Sequence, residues 1–273
     1  MTLLRERRMI WKDVEPLTGL LFGACAVLVA VSAATYTACA PPLSRDEPFF
    51  VARRARLSIF TASFVSSFLA VPSIAKTADG LIERPGIATL CSHLAAELVL
   101  LGMQIMNVNW THPTACIRKA IGVRIVIACC VMATVIWQFH RINVPSEELA
   151  YGAPDSSAVA TYMLMQYGFL TVAGTATGLR YAALSCAIWR RRRAAAASLA
   201  AIAAGTLLAV VYAGSRMGAV LAHLGGLPWP SAVGALVVPT AGALSLHLIT
   251  VGFTLPLRGQ RATLPIRPWA AGS

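Results

Sequence analysis

Five polar side chains recur along one apolar stretch of this chain, and together they could bind a cation or pass protons. They fall between residues 87 and 108 and are Thr89, His93, Glu97, Gln104 and Asn107. At about 100° per residue on a helix, all five positions lie within about 80° of one another. We call this set the polar stripe. Its spacing predicts one polar face on an otherwise apolar helix.

Glu97 is the member of the polar stripe with the strongest chemical constraint. Counting about 1.5 Å per residue from Ile87 places it about 15 Å deep, near the middle of a hydrocarbon core about 30 Å thick. A carboxylate at that depth costs several kcal/mol unless it is protonated, paired or next to water. His93, one turn away, would be its partner in a proton relay or a cation site. The alternative is an interhelical hydrogen-bond network that only fixes packing.

Two arginines are the other strongly polar residues within apolar stretches. Either Arg180 or Arg216 could neutralise Glu97 by forming a buried ion pair. Arg180 precedes the basic residue Arg190 by about two and a half helical turns, however, and its long side chain can extend to the inner membrane surface. Arg216 falls near the outer end of its stretch. We expect both arginines to lie at the membrane interface.

The remaining reactive residue types do not form a recognisable catalytic or metal site. His223 and His247 share no short ligand spacing with His93, and no cysteine or acid completes a set in the sequence. There is no G-x-S-x-G motif, and the seven cysteines show no C-x-x-C spacing. We therefore expect no metal, no cofactor and no enzymatic activity.

The composition is typical of a membrane protein. Of 273 residues, 57% are hydrophobic and 12% are charged, whereas soluble domains have about 45–50% apolar and about 25% charged residues. The apolar stretches are continuous and not alternating, which argues against a porin-type barrel. The net charge of +12 could indicate a nucleic-acid surface. The basic residues sit between apolar stretches, however, so we interpret the charge as a topology signal and expect no nucleic-acid partner.

The apolar sequence divides into seven stretches that could each cross a bilayer. They are residues 17–40, 57–75, 87–108, 120–139, 159–189, 194–224 and 231–255. The sequence thus predicts an all-α, polytopic transmembrane bundle of about seven spans. It has an N-terminal tail at 1–16, a transmembrane domain at 17–255 and a short cytoplasmic tail at 256–273.

The distribution of basic residues predicts the orientation of the bundle. With seven spans, fourteen basic residues fall on one side and seven on the other. The richer side holds Arg45, Arg53, Arg54, Arg56, Arg118, Lys119, Arg124, Arg190, Arg191, Arg192, Arg193, Arg258, Arg261 and Arg267. Because cytoplasmic loops concentrate positive charge, we expect the C-terminus in the cytoplasm, the N-terminus outside and the chain in the plasma membrane.

A run of four arginines follows Trp189 and is the densest charge cluster. At the cytoplasmic leaflet, Arg190, Arg191, Arg192 and Arg193 would meet anionic lipid headgroups, each contributing about 1 kcal/mol of attraction. Topology and lipid anchoring account for this cluster. The alternative is that it docks a cytosolic partner protein.

One segment carries a family resemblance. It runs from Ala78-Asp79-Gly80-Leu81 through Arg84-Pro85-Gly86-Ile87-Ala88 to His93-Leu94, as a short acidic outer loop that leads into a His-bearing helix. It resembles a family of actinobacterial seven-helix integral membrane proteins classed as transporters. Members of that family carry a further cytosolic region after the seventh helix, so the resemblance concerns the membrane part. Where relatives have His before the basic residue of the sixth helix, this chain has Ser215 before Arg216.

The sequence therefore favours one function and leaves a second open. The resemblance implies a transporter, in which the polar stripe would line a path through the bilayer. The alternative is a membrane sensor or regulatory module that does not transport and acts through a cytosolic partner.

Overall fold

A computed structural model describes residues 2–39, 50–146, 149, 156–230 and 233–255. The predicted cytoplasmic tail at 256–273, with Arg258, Arg261 and Arg267, lies outside these residues. So do Arg45 and half of the predicted outer segment at 143–158.

The described residues fold into helices joined by short connections, without a strand among them, which confirms the predicted all-α class. The part of the chain that the structure describes contains eight α-helices of this length: α1 (Thr2–Cys39), α2 (Phe50–Leu69), α3 (Pro72–Ile82), α4 (Ile87–Thr111), α5 (Thr114–Phe139), α6 (Ser157–Ile188), α7 (Arg193–Leu224) and α8 (Val238–Thr254). A π-helical turn at Val233–Val237 leads into α8.

Among the described helices, four are long and apolar enough to cross a membrane. They contain Glu15–Ala38 of α1, Ile87–Thr111, Ala115–Phe139 and Arg193–Leu224. A fifth span results if α2 and α3 are counted together. Helix α8 is apolar but has only 17 residues. The helices are thus compatible with an integral membrane protein that has four or five apolar candidate spans.

The second predicted stretch is not one straight helix, and the expected outer loop after it is also helical. Helix α2 ends at Leu69, and α3 begins at Pro72 at an angle of 89°. Pro72 lacks an N–H and its ring would clash with a preceding helical turn, so a helix can begin at this residue but cannot easily pass through it. The predicted stretch at 57–75 is therefore broken, and residues up to Ile82 belong to a second helix.

The long helices run in alternating directions. Ser66 on α2 bonds to Ser92 on α4, whereas Ile59, earlier on α2, packs at Gly102, later on α4. Helices α2 and α4 are therefore antiparallel. Contacts show the same antiparallel arrangement for four further pairs, namely α1 and α2, α4 and α5, α6 and α7, and α7 and α8. Helices α4 and α6 are parallel, since His93 contacts Tyr167 and Met103 contacts Tyr181.

This alternation brings the starts of α2, α5 and α7 to one end of the bundle, which we call the basic end. Ten basic residues lie there without an acid among the described residues of that end: Arg53, Arg54, Arg56, Arg118, Lys119, Arg124, Arg190, Arg191, Arg192 and Arg193. The starts of α4, α6 and α8, together with α3, lie at the opposite end, which we call the open end. The ten described residues of the fourteen that define the predicted orientation therefore share one end of the fold.

Candidate functional site

A hydrogen-bonded hub at the open end fixes the beginning of α4. The Asp79 carboxylate accepts bonds from the backbone N–H groups of Gly86 and Ala88, each at 3.0 Å. It also accepts bonds from the N–H and the hydroxyl of Ser146, at 3.1 and 3.0 Å. A carboxylate in this position satisfies free N–H groups of the first helical turn and interacts favourably with the positive end of the helix dipole.

Thr89 of the polar stripe extends this hub. Its backbone N–H donates to the Ser146 hydroxyl at 3.2 Å, and its own hydroxyl donates to the Ser146 carbonyl at 3.1 Å. Gly86 lets the two segments come this close: its φ is +78°, and a Cβ there would lie 2.7 Å from the carbonyl oxygen of Val144. Thr89 therefore ties α4 to the segment that follows α5.

His93 is held between two tyrosines of α6 and not by Glu97. Its Nδ1 lies 2.8 Å from the Tyr162 hydroxyl, and its Nε2 lies 3.4 Å from the Tyr167 hydroxyl. Both rings also pack against the imidazole. Gln166 donates to the His93 carbonyl at 3.5 Å. The expected His93–Glu97 pair is thus replaced by contacts between α4 and α6, because both imidazole nitrogens face tyrosines.

Arg216 lies inside the bundle, and its expected placement at the membrane interface is wrong. Only 4% of its surface is exposed, and its guanidinium carbon lies 5.8 Å from the centre of the Tyr167 ring. Tyr167 in turn packs edge-on against Tyr212 of α7. The position is stabilised by a cation–π contact, and through Tyr167 it is connected to His93.

Glu97 is buried as the sequence predicts. Its side chain is 1% exposed, and neither carboxylate oxygen has a hydrogen-bond partner among the described residues. Arg180 does not neutralise it, because that arginine is exposed on the outer surface of α6.

The last two members of the polar stripe lie nearer the basic end. Gln104 is half-buried and Asn107 is 3% exposed. The Asn107 backbone carbonyl accepts a 2.8 Å bond from the Thr111 hydroxyl. The structure therefore places the five stripe residues in different surroundings, although they share a face of α4.

A cavity of about 530 Å³ lies inside the bundle, lined by residues of α1, α2, α3, α4, α6, α7 and α8 and by Ser146. The α4 residues that line it follow helical spacing: Thr89, Ser92, His93, Ala96, Val99, Leu100 and Met103. Glu97, next to Ala96 and so turned about 100° from it, is not among the lining residues. Of the five residues of the polar stripe, only Thr89 and His93 therefore line the cavity.

The two ends of this cavity differ. At the open end it reaches Glu15, whose side chain is 40% exposed and forms a 2.9 Å salt bridge with Lys76. Toward the basic end a layer of large side chains, each at most 1% exposed, closes the bundle; we call it the apolar layer. It consists of Ile59, Met103, Met106, Tyr181, Ile202 and Phe253.

The sequence did not indicate which residues position this site, and Asp79 stood out only as part of the segment with the family resemblance. Asp79 and Ser146 are far apart in sequence and are joined only by the fold. Tyr162 and Gln166 did carry a signal, since their i, i+4 spacing places two polar groups on one face of an apolar helix. That face could have been matched to the polar stripe.

The site and fold thus define a helical protein with several long apolar helices, compatible with integration in a membrane, and with an internal cavity. Comparisons of the chain with family models, with curated proteins and with solved structures find no match.

Proposed function

We propose that this chain is a multi-pass transporter of the plasma membrane, with seven crossings, its N-terminus outside and its C-terminus in the cytoplasm. The alternating helix directions support seven crossings if α2 and α3 count as one broken span and α6 and α8 each cross. The gathering of ten basic residues at one end supports the orientation, because cytoplasmic surfaces are rich in Lys and Arg. We propose membership of the actinobacterial transporter family that the segment 78–94 resembles.

The observation that carries the transporter proposal is the asymmetric cavity. It begins at the partly exposed Glu15 and ends at the apolar layer that Met103 and Ile202 help to form. A transporter that alternates access to one binding site needs such a shape, open to one side and closed to the other. In the proposed orientation the open side faces outward.

The proposed path differs from the one that the polar stripe suggested. Thr89 and His93 line it, but its wall continues along Ser92, Ala96 and Leu100. Glu97 stands beside the path, against the neighbouring helices. We propose no catalytic role for any of these residues.

The alternative, a sensor or regulatory module, is favoured by the charge of the basic end. Ten described basic residues without a described acid make a surface for anionic lipid headgroups or an acidic cytosolic partner. In that case the cavity would hold a signal molecule and would never open toward the basic end.

Two-sided labelling separates the two functions without knowledge of a substrate. A cysteine replaces Ala96 in a background from which the native cysteines, above all the nearby half-buried Cys91, have been removed. The protein is then reconstituted in sealed vesicles of one orientation and exposed to a membrane-impermeant thiol reagent from either side. Thr77→Cys and Arg191→Cys report the open-end side and the basic-end side, respectively.

A transporter predicts that Ala96→Cys reacts from both sides, because the cavity must open to each side in turn. Thr77→Cys should react only from outside and Arg191→Cys only from the cytoplasm. Reaction of Ala96→Cys from the Thr77 side alone would overturn the transporter proposal in favour of the sensor. Labelling of Thr77→Cys and Arg191→Cys from the same side would overturn the proposed topology.

A further inference from the structure

The cavity wall changes in polarity along its length. Its open-end half carries hydroxyl groups from three segments, namely Ser66 of α2, Thr89 and Ser92 of α4, and Ser146. Its deep half, toward the apolar layer, is formed by Val99, Leu100, Met103, Leu246 and Ile249. Phe22, Leu69 and Pro72 also line the cavity, so the hydroxyl groups form a small polar patch at the open end of a mostly apolar wall, which suits a ligand with a small polar head and an apolar chain.

The two hydroxyls in the deep part of the cavity do not alter this gradient. The Thr206 hydroxyl donates to the Ile202 carbonyl at 2.7 Å, and the Ser245 hydroxyl donates to the Gly242 carbonyl at 2.9 Å. Each hydrogen is thus used within its own helix. Water needs several polar partners to occupy a cavity, so this half favours a hydrocarbon chain.

The charges at the open end are compensated. Glu15 is paired with Lys76 at 2.9 Å, and the Asp79 carboxylate beside the cavity receives four hydrogen bonds. His93 contacts a tyrosine hydroxyl through each nitrogen. A charged headgroup would meet no uncompensated counter-ion among the described lining residues. The Thr89, Ser92 and Ser146 hydroxyls already donate within the protein, but their oxygens can still accept, so an uncharged hydroxyl headgroup can donate to them.

The dimensions of the cavity fit a ligand with one hydrocarbon chain. Between Thr89 and Met103 the wall of α4 extends about 21 Å at 1.5 Å per residue. A volume of about 530 Å³ lies within the usual range for small-molecule sites. The space is thus long and suited to an elongated molecule.

We infer that the cavity binds a single-chain amphiphile with an uncharged, hydroxyl-bearing head, held with its head at Thr89 and Ser146 and its chain toward Met103. The chemical class covers long-chain alcohols and monoacylglycerols. This inference rests on the proposed function, for which it names the class of substrate.

Equilibrium binding of radiolabelled dodecanol tests the inference on the full chain held in amphipol. Wild-type protein should bind it saturably, with about one site per chain. Ala96→Leu and Ala209→Leu fill the cavity from two different helices and should each weaken binding by about tenfold or more. Ala133→Leu makes the same substitution on the exposed surface of α5 and should leave binding unchanged. A melting curve for each variant shows that it is folded.

Competition on the wild-type protein tests the headgroup independently of any variant. Unlabelled dodecanol should displace the probe at least about tenfold more effectively than dodecanoate or dodecylammonium, because burying a charge without a partner is costly. Equal binding by Ala133→Leu and both filled variants would show that the amphiphile lies outside the cavity. Equal or stronger competition by a charged head would overturn the headgroup class.

Loss of dodecanol binding together with two-sided labelling of Ala96→Cys would refute this inference alone, whereas one-sided labelling with intact binding would refute transport alone.

Discussion

The open end and the basic end of the bundle are held together by different interactions. At the open end, the Asp79 carboxylate and Ser146 join three chain segments through hydrogen bonds. At the basic end, helices approach so closely that a Cβ at Gly252 would lie 2.8 Å from the Ser198 carbonyl oxygen, and one at Gly102 would lie 2.6 Å from Ile59. There the apolar layer fills the interior.

This difference explains why the cavity lies where it does. Hydrogen bonds are directional and can fix segments around a space without filling it. Dispersion contacts fall off steeply with distance, so apolar helices are stabilised only where their side chains touch. The open end, which hydrogen bonds hold together, can therefore contain a cavity. The basic end, which side-chain packing holds together, must have a filled interior.

The largest effect is expected from breaking the hydrogen-bonded end. Asp79→Ala removes an acceptor of four bonds and leaves N–H groups of α4 unsatisfied, so we expect a loss of about 3–5 kcal/mol in the free energy of unfolding. Titration with a denaturing detergent measures it. Glu83→Gln, an exposed position a few residues away, is the control and should stay within about 0.5 kcal/mol of wild type. Similar stability of the two variants would mean that the hub does not hold this end.

An intermediate effect is expected at Glu97, which lies between the two regions. Glu97→Lys places an ammonium group at the middle of a span and should cost about 3 kcal/mol. Glu97→Gln keeps the shape without a charge and should cost less than about 1 kcal/mol. The same unfolding titration compares them. Equal stability of the two variants would contradict the burial of Glu97, which is 1% exposed.

The smallest effect is expected from overpacking the interior of the basic end. Gly252→Ala would force α7 and α8 apart, because the added Cβ would lie 2.8 Å from the Ser198 carbonyl oxygen, and we expect a loss of about 2 kcal/mol. Gly122→Ala on α5, where nothing lies within 4 Å of the added Cβ, is the matched control. It should gain about 0.5–1 kcal/mol, since alanine favours a helix. If Gly252→Ala also proved stabilising, the close contact between α7 and α8 would not contribute to the stability of the basic end.

The sequence by itself determined the all-α class of the protein and the burial of Glu97. A composition of 57% hydrophobic and 12% charged residues requires long apolar helices, and these form. Helical periodicity correctly placed Thr89, His93 and Glu97 toward the interior, because position around a helix depends only on spacing. The described helices include four or five candidate spans by length and composition, whereas the seven crossings expected from the sequence remain a prediction.

Only the tertiary structure decided which partners these residues meet. His93 bonds to Tyr162 and Tyr167, about 70 residues away, and Asp79 joins Ser146 across a similar separation. Arg216 is buried against Tyr167, although sequence position alone suggested the interface. Periodicity specifies the face of a helix but not the neighbour that the face contacts. That neighbour depends on how the helices cross, and the crossing is set by the sum of contacts along their whole length.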